Sequence, residues 1–270
     1  MDRTRKALDK ARRQRESVRA GDHARTPSRP ANAASGAAPR TRAVKTTPEI
    51  LRDNRIVAGL PNEAAADIFR MLRTKVMLSL ASQGHSTLAV CSALPGEGKT
   101  LVAVNLAVGL AMDVNYTVLL VDLDFRNPGV HGYFGIEPEF GLTDYLLGEA
   151  SLADCLINPG YERLVLLPSG APLDHSSEIL SSPRMAELAQ ELRDRYPDRI
   201  MIYDVAPLLV ADDYLAFMHH VDACLMVVAE GATKVADIER AMDLLKDSNV
   251  IGTVLNKSSQ RNLHTYYYKS

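Results

Sequence analysis

Tryptophan is absent from this chain of 270 residues, aromatic residues make up only 6% of it, and there are three cysteines. Cys91, Cys155 and Cys224 are each more than 60 residues from the next, a spacing that fits neither a disulfide framework nor a paired zinc motif. No apolar run reaches the about 20 residues that span a bilayer, and the N-terminus is charged where a signal peptide would be apolar. We therefore expect a cytoplasmic protein that reaches a membrane only through a partner.

Basic residues are concentrated near the N-terminus. Residues 1–45 contain 13 Lys and Arg against 4 Asp and Glu, whereas the remaining residues contain 18 against 29, so the formal net charge of -2 describes neither part. Residues 3–19 are rich in helix-forming residues but have too few apolar side chains for a core of their own. This segment is either a solvated helix or frayed tail, or a docking element for an acidic partner or an anionic lipid.

Composition and periodicity divide the chain into three parts. Residues 1–46 are the basic segment with a flexible linker, residues 47–255 form one α/β domain, and residues 256–270 form a tail. Short apolar strands alternate with helical patterns in the domain, which predicts a parallel sheet with helices on both faces. The expected strands are 87–92, 117–121, 163–167, 199–203, 223–228 and 250–255, and the expected helices are near 62–81, 99–112, 182–196, 211–219 and 234–247.

A phosphate-binding loop follows the first predicted strand. Residues 93–100, ALPGEGKT, match the pattern G-x-x-x-x-G-K-[ST], except that Ala93 stands where Gly is usual. Glycines let backbone N–H groups point at phosphate oxygens, while Lys99 would bridge the β- and γ-phosphates and Thr100 would bind Mg²⁺. The setting between a strand and a helix predicts a nucleoside triphosphate site rather than an ordinary Gly-rich turn.

Acidic residues follow two further predicted strands. Asp122 and Asp124 come after the strand that begins at Thr117, and Asp204 follows the strand that begins at Arg199. The carboxyl ends of parallel strands lie at the same edge of a sheet, so we expect these acids beside the phosphate loop. A single acid at a strand end is as well explained by a helix cap. Three of them beside a phosphate loop predict metal-binding and proton-transfer groups.

These motifs resemble the bacterial tyrosine kinases of capsule and exopolysaccharide assembly, in the form that lacks the family's membrane module. The resemblance rests on the loop 95–100, on three aliphatic residues followed by D-x-D-x-R at 122–126, and on aliphatic-D-x-x-P at 204–207. The stretches GLTDYLLG and LPSG are also similar to loops of the family. The resemblance covers about residues 60–270 of the chain. The basic opening KALDKARR resembles the subset associated with exosortase-linked polysaccharide systems.

The resemblance implies a P-loop NTPase-type fold that uses ATP and Mg²⁺, and it implies a role for each motif residue. Thr100, Asp124 and Asp204 would hold the metal and its waters, and Asp122 would accept the proton of the acceptor tyrosine. Arg126 would support the site or meet a neighbouring subunit. The expected catalytic residues are Lys99, Asp122, Asp124, Arg126 and Asp204. The expected nucleotide-binding residues are Pro95, Gly96, Glu97, Gly98, Lys99, Thr100, Leu101 and Asn256, the last as reader of the adenine edge or as a simple strand-ending residue.

The family's oligomerisation helix carries E-x-x-R-x-x-R, and the best match here is Asp67, Arg70 and Arg73. Asp in place of Glu shortens the reach by one methylene, which puts ring formation in question. Positions i, i+3 and i+6 share one helical face. A solvated Asp67–Arg70 pair, contributing about 0.3–0.5 kcal/mol, is the alternative explanation.

Three consecutive tyrosines, Tyr266, Tyr267 and Tyr268, lie close to the C-terminus. A core role does not fit them, because a strand would alternate their faces and a helix would spread them around its axis. The residues between Leu255 and Tyr266 extend at most about 36–40 Å, which reaches the chain's own site or a neighbour's. The resemblance favours phosphorylation in trans, and several phosphates on one short tail would repel one another and loosen the assembly.

Together these features predict an ATP- and Mg²⁺-dependent protein-tyrosine autokinase that regulates exopolysaccharide polymerisation or export. The expected partners are a membrane-embedded chain-length-determinant protein (a polysaccharide co-polymerase) as activator and anchor, further copies in a homo-oligomer such as a ring, and a cognate phosphotyrosine phosphatase, but no nucleic acid. The protein would then lie at the inner face of the plasma membrane. Two alternatives stay open: a partitioning ATPase of the ParA and MinD type, disfavoured by the lack of a second lysine at 93–95, and a non-catalytic nucleotide-gated scaffold.

Overall fold

A computed structural model describes residues 42–60, 64–174, 176–195 and 198–259. Eight strands in these residues form one sheet. They are β1 (Arg42–Ala43), β2 (Thr87–Ser92), β3 (Thr117–Asp122), β4 (Ile157–Asn158), β5 (Leu164–Leu167), β6 (Arg199–Asp204), β7 (Ala223–Ala229) and β8 (Val250–Asn256). Their order across the sheet is β1-β4-β5-β3-β6-β2-β7-β8.

Helices of very different length connect the strands. They are α1 (Pro48–Asp53), α2 (Ala64–Gln83), α3 (Lys99–Ala111), α4 (Val130–Tyr133), α5 (Leu142–Leu147), α6 (Leu152–Cys155), α7 (Ser176–Leu180), α8 (Pro183–Arg195), α9 (Asp213–Phe217) and α10 (Val235–Leu244), with 3-10 turns at Val57–Gly59 and Met218–His220. The five predicted helices correspond to α2, α3, α8, α9 and α10. The others have four to six residues, too few to show a helical period in the sequence. None of these helices is both long and apolar enough to cross a bilayer.

The sheet is parallel apart from one pair of strands, as the alternation of strands and helices predicts. Strands β2, β3, β5, β6, β7 and β8 all pair in parallel. The antiparallel exception is β4 with β5, which meet at a single residue pair, Ile157 and Leu166. Strands β1 and β4 were not predicted, because two residues are too few to show the alternation of apolar and polar side chains that identifies a strand.

Helices cover both faces of the sheet and create two separate apolar layers. All six residues of β2 are buried; Ala89 and Cys91 face one layer, whereas Leu88 and Val90 face the other. Helix α3 packs in the second layer and α8 in the first. Full burial of a leucine or valine contributes about 1.5–3 kcal/mol, so the central strands are fixed firmly on both sides. The loops that follow the central strands are therefore attached to strands that are held firmly in place.

The register of the central strands brings the candidate acids together. Strands β3, β6 and β2 are neighbours in the sheet. Asp122 at the end of β3 pairs with Asp204 at the end of β6, and Asp204 pairs with Val90 of β2. The phosphate loop leaves β2 only two residues after Val90. The acids and the loop thus meet at one edge of the sheet.

Part of the predicted linker packs on the domain. Strand β1 pairs with β4, and the Thr46 hydroxyl donates to the Pro159 carbonyl at 2.9 Å. The folded part therefore includes residues before 47, where the sequence places its start. Residues 1–41, which hold most of the basic segment, and the tyrosines 266–268 lie outside the described residues. Their roles stay predictions.

Candidate nucleotide site

The loop between β2 and α3 has the backbone of an anion-binding turn. Gly96 has φ +78° and Gly98 has φ +94°, in the left-handed region that glycine adopts without steric cost. Gly98 is also the N-cap of α3, so the partial positive charge of the helix end lies at the same place as the loop N–H groups. This combination is suited to bind phosphate groups.

Two residues expected at the nucleotide fasten this loop to the domain. The buried carboxylate of Glu97 accepts from the Leu94 N–H at 3.0 Å and from the hydroxyl of Thr233, which follows β7. Asn256, at the end of β8, donates from Nδ2 to the Glu97 carbonyl at 2.8 Å. The loop is thus tied to two neighbouring strands. Contact of Asn256 with the adenine edge stays a prediction.

Lys99 lies between carboxylates at the start of α3. Its Nζ is 2.8 Å from Asp124 Oδ2 and 3.5 Å from Asp204 Oδ1, and its side chain is only 10% exposed. Burial lowers the pKa of Lys99, but Asp204 and Asp124 outweigh burial and raise it to about 12. The lysine is therefore a permanent cation. It compensates charge in a site that holds three carboxylates.

Thr100 and Asp204 form the part of the site that suits a magnesium ion. The Thr100 hydroxyl donates to Asp204 Oδ2 at 2.6 Å. Asp204 Oδ1 is buried and faces the Lys99 ammonium at 3.5 Å without a hydrogen bond from the described residues, so it keeps a lone pair that a metal ion could use. Across the described ranges no three His, Cys, Asp or Glu side chains form a metal cage. This donor set fits Mg²⁺, which in nucleotide sites uses few protein oxygens together with phosphates and waters.

Asp122 lies beneath the cleft rather than on its wall. It is fully buried, and its Oδ2 accepts from the N–H groups of Gly129 at 2.9 Å and Val130 at 3.0 Å, while Oδ1 accepts from Asp124 N–H at 3.2 Å. Burial and Asp204 raise the pKa of Asp122 to about 7 against these hydrogen bonds. Asp122 thus supports the turn that follows Asp124 and can titrate near neutral pH.

A cleft of about 520 Å³ opens above these residues. Seven of the eight expected nucleotide-binding residues line it, all except Glu97. Of the remaining expected residues, Asp124 and Arg126 line it, whereas Asp122 and Asp204 do not. Sequence reasoning missed a second group of lining residues: Arg55, Asn127, Gly129, Tyr133, Ala206, Pro207, Val210, Ala211 and Lys257. Pro207 belongs to the D-x-x-P motif at 204–207 and could have been found from it, but Arg55 and Tyr133 carry no local signal.

Known proteins share this fold and these motifs. Residues 88–270 match the family described as the CobQ/CobB/MinD/ParA nucleotide binding domain. The tyrosine-protein kinase YwqD of Bacillus subtilis (strain 168) is 31% identical over 221 residues, which cover 80% of this chain and 92% of YwqD. The chain belongs to the bacterial tyrosine kinases within this nucleotide-binding family.

Two further relatives differ in the share of their length that this chain covers. The kinase domain of Escherichia coli tyrosine kinase ETK aligns with a TM-score of 0.71 and 27% identity, covering 80% of this chain and 84% of that domain. The succinoglycan biosynthesis transport protein ExoP of Rhizobium meliloti (strain 1021) is 34% identical over 230 residues, 83% of this chain but 29% of ExoP. This bacterial tyrosine kinase thus spans nearly all of YwqD and less than a third of ExoP.

In this bacterial tyrosine kinase, Arg126 is held at the cleft edge by polar neighbours. Its Nε donates to the Ser176 hydroxyl at 3.4 Å, and its Nη2 lies 3.9 Å from Asp212 Oδ1. Ser176 in turn donates to the buried Asp213 at 2.6 Å. The Arg126 side chain is 42% exposed, so it can still contact a ligand or a neighbouring subunit.

The three residues expected in oligomerisation lie on α2 but have different surroundings. Asp67 and Arg70 form an ion pair on the exposed side of the helix. Arg73 instead points to the domain and donates to the Gly109 carbonyl at 3.0 Å. Ile68, Met71 and Leu78 of the same helix are 48%, 57% and 68% exposed. The exposed surface of α2 is therefore apolar as well as charged.

Proposed function

We propose that this chain binds Mg²⁺ and ATP at residues 95–101 and transfers the γ-phosphoryl group to tyrosines 266–268 of another copy. The supporting observation is the packing of Lys99, Asp124, Thr100 and Asp204 at the first turn of α3, beside the anion-binding loop. The names of its relatives YwqD and ETK, both tyrosine kinases, support the reaction type.

Phosphoryl transfer depends mainly on positioning and on neutralising the charge of the phosphates. The loop N–H groups would hold the phosphate chain, and the phosphates would compete with Asp124 and Asp204 for the Lys99 ammonium. Mg²⁺ held by Thr100, Asp124 and Asp204 would neutralise further phosphate charge. Arg126, at the cleft edge, would orient the transferred group or the incoming tyrosine.

Asp122 is the proposed acceptor of the tyrosine proton. A pKa of about 7 suits a general base at neutral pH. Both carboxylate oxygens, however, accept backbone hydrogen bonds beneath the cleft. Proton transfer to Asp122 therefore requires the turn at Gly129 and Val130 to move away from Oδ2, or a water to relay the proton.

The start of the tail supports delivery of tyrosines to a site. Asn256, the last residue of β8, and Lys257, which follows it, line the cleft, so the tail leaves the domain beside the phosphate loop. We propose transfer in trans within a homo-oligomer that uses Asp67 and Arg70 of the exposed α2 surface. Arg73, the third residue expected there, instead bonds to Gly109 of its own chain. Repulsion between the phosphates added to the tail would loosen this oligomer, and a cognate phosphatase would restore it.

The cellular role that we propose is control of exopolysaccharide polymerisation or export. The name of ExoP, a succinoglycan biosynthesis transport protein, supports this role. A membrane-embedded chain-length-determinant protein would anchor and activate the kinase at the inner face of the plasma membrane. The basic residues 1–45 would lie near anionic lipid or an acidic partner, because their positive charge favours both.

A mixing experiment tests the reaction and its direction. A donor with Phe at positions 266–268 keeps the site but has no tail acceptors, and K99M keeps the tail but lacks the phosphate-binding lysine. The two full-length variants are incubated together with ATP and Mg²⁺, with and without the cytoplasmic segment of the membrane partner, and phosphotyrosine is mapped by mass spectrometry. Label on the K99M tail, absent when either variant is incubated alone, is the expected result. Steady ATP hydrolysis stimulated by DNA or lipid without any phosphotyrosine would instead identify a partitioning ATPase.

A further inference from the structure

Two basic residues at the cleft have an unusual backbone. Among the described residues, Arg55 with φ +57° and Lys257 with φ +58° are the non-glycine residues in the left-handed region. This conformation costs a residue with a side chain about 1–2 kcal/mol relative to right-handed geometry. Both residues line the nucleotide cleft. Residues kept in such conformations cluster at ligand sites, where the surrounding structure holds the side chain in a functional position.

The turn at Arg55 does not itself call for arginine. Helix α1 ends at Asp53, Arg55 N–H donates to the Arg52 carbonyl at 3.0 Å, and Ile56 N–H donates to the Leu51 carbonyl at 2.7 Å. This is the Schellman pattern, in which the left-handed position usually holds glycine. Because glycine would form the same turn at lower cost, the guanidinium needs another explanation than helix termination.

A buried asparagine fixes Arg55 to the helix that carries the phosphate loop. Asn105 of α3 donates from Nδ2 to the Arg55 carbonyl at 3.0 Å and to the Leu101 carbonyl at 3.0 Å. Its Oδ1 accepts from Ala58 N–H at 3.1 Å. The Arg55 backbone therefore shares one donor group with Leu101, which lines the cleft directly after Lys99 and Thr100.

The charges around the cleft leave Arg55 available to an anion. The lining includes four cations, Arg55, Lys99, Arg126 and Lys257, and one carboxylate, Asp124. Lys99 is bound by Asp124 and Asp204, and Arg126 lies near Asp212. Within the part of the chain that the structure describes, no carboxylate oxygen lies within 4.0 Å of the Arg55 guanidinium. Its N–H groups are thus free for a ligand.

We propose that Arg55 is a nucleotide-binding residue whose guanidinium donates to the phosphate chain of ATP, and that Asn105 is its positioning residue. The identity of the ligand rests on the proposed function. A guanidinium suits phosphate because its paired N–H groups match two phosphate oxygens. The segment before the P-loop then contributes to the site from outside the motif-bearing strands.

The decisive variant is R55G, because glycine keeps the turn and removes the charge. We expect the Kd of ATP, measured by calorimetry with Mg²⁺ on the full-length protein, to rise about 10–100-fold. The melting temperature without nucleotide should stay unchanged or rise, since the left-handed strain is relieved. R52A, in the last turn of α1 and away from the cleft, is the matched control and should bind ATP within about twofold of wild type. R55G that binds ATP as tightly as wild type overturns the proposal.

A ligand series identifies the contacted group. The loss caused by R55G should be largest for ATP, smaller for ADP and AMP, and absent for adenosine. An equal loss for adenosine would place Arg55 against the base or ribose and contradict a phosphate contact. N105A should weaken ATP binding in the wild-type background and have little further effect in R55G, because a positioning residue acts through the group it positions.

Binding measurements separate this inference from the kinase reaction. If wild type binds ATP and R55G does not, while no phosphotyrosine forms under any condition, Arg55 remains a nucleotide-binding residue and the proposed kinase function fails. If tail labelling is found and R55G leaves the ATP affinity unchanged, the kinase function stands and the role of Arg55 is wrong. A wild type that binds no ATP contradicts both.

Discussion

Gly98 and Asn256 meet at the first turn of α3 so closely that the site has no room for a side chain at position 98. A Cβ on Gly98 would overlap the carboxamide of Asn256, which holds the Glu97 carbonyl. At Gly96, in the same loop, a Cβ would have nothing within 4 Å. Glycine at position 98 therefore lets the loop lie against β8 while the Asn256 carboxamide keeps its bond to Glu97.

We expect G98A to lower the melting temperature of the nucleotide-free protein much more than G96A. Both variants force alanine into a left-handed backbone, at about 1–2 kcal/mol, but only G98A adds an overlap, at about 1–3 kcal/mol. At about 2–4 °C per kcal/mol, G98A should lose roughly 4–20 °C and G96A roughly 2–8 °C. Thermal unfolding followed by circular dichroism measures both. The double variant G98A/N256A, which lacks the Asn256 carboxamide, should recover part of the melting temperature lost in G98A. Equal melting temperatures of G98A and G96A would contradict the overlap.

Removal of the Lys99 charge should destabilise the fold as well as the reaction. K99M leaves Asp124 and Asp204 buried without their cation, and the loss of one partner of a buried ion pair costs about 3–5 kcal/mol. Urea unfolding without Mg²⁺ measures the free energy of unfolding. K75M, which removes an exposed lysine of α2, should change it by less than about 0.5 kcal/mol. A K99M protein as stable as K75M would show that the acids are not compensated by this lysine.

Asp222 should make the fold sensitive to acid. Its Oδ2 accepts from the N–H groups of Ser86 and Thr87, both at 3.0 Å, and its Oδ1 pairs with Arg193 at 2.9 Å. Burial raises the pKa of Asp222, but these partners together hold it below its ordinary value. The carboxylate therefore contributes stability above the unfolded pKa of about 4, and this contribution is lost as the pH falls through the lower folded pKa.

D222N should lower the free energy of unfolding by about 1–3 kcal/mol at neutral pH, because Arg193 loses its charged partner and one acceptor oxygen is replaced. Below about pH 4 the difference from wild type should shrink. Melting temperatures between pH 7 and pH 3 give the comparison, with D243N on the exposed side of α10 as the control. A constant difference between D222N and wild type over this range would mean that folding does not change the pKa of Asp222.

The exposed apolar residues of α2 should matter for assembly. The double variant M71D/L78D places charge on a surface that a neighbouring copy would bury, so we expect a smaller mass by light scattering in the presence of ATP and Mg²⁺, with little change in melting temperature. M242D, at an exposed methionine of α10, is the matched control. R73A should behave differently and reduce stability by about 1 kcal/mol, because Arg73 bonds to Gly109 of its own chain. A wild type that is monomeric under these conditions contradicts the role of α2.

Sequence reasoning predicted those parts of the site that follow from contiguous residues. The loop 95–100 and the acids at 122 and 124 are read from short patterns, and the parallel sheet brings Asp204 to them without any further information. The link between Arg55 and Asn105 joins residues 50 positions apart and uses a side-chain amide, so neither periodicity nor spacing reveals it. The sequence also could not predict that Asp122 is enclosed, because its burial depends on how the turn at Gly129 folds back over β3.

The strand order places β1 and β8 at the two opposite margins of the sheet. With seven intervals of about 4.8 Å, these margins are about 34 Å apart. The chain thus enters the domain on one flank and leaves it on the other, next to the phosphate loop. In the proposed assembly, a partner bound before Arg42 would therefore leave the exit of the chain after Asn256 unobstructed.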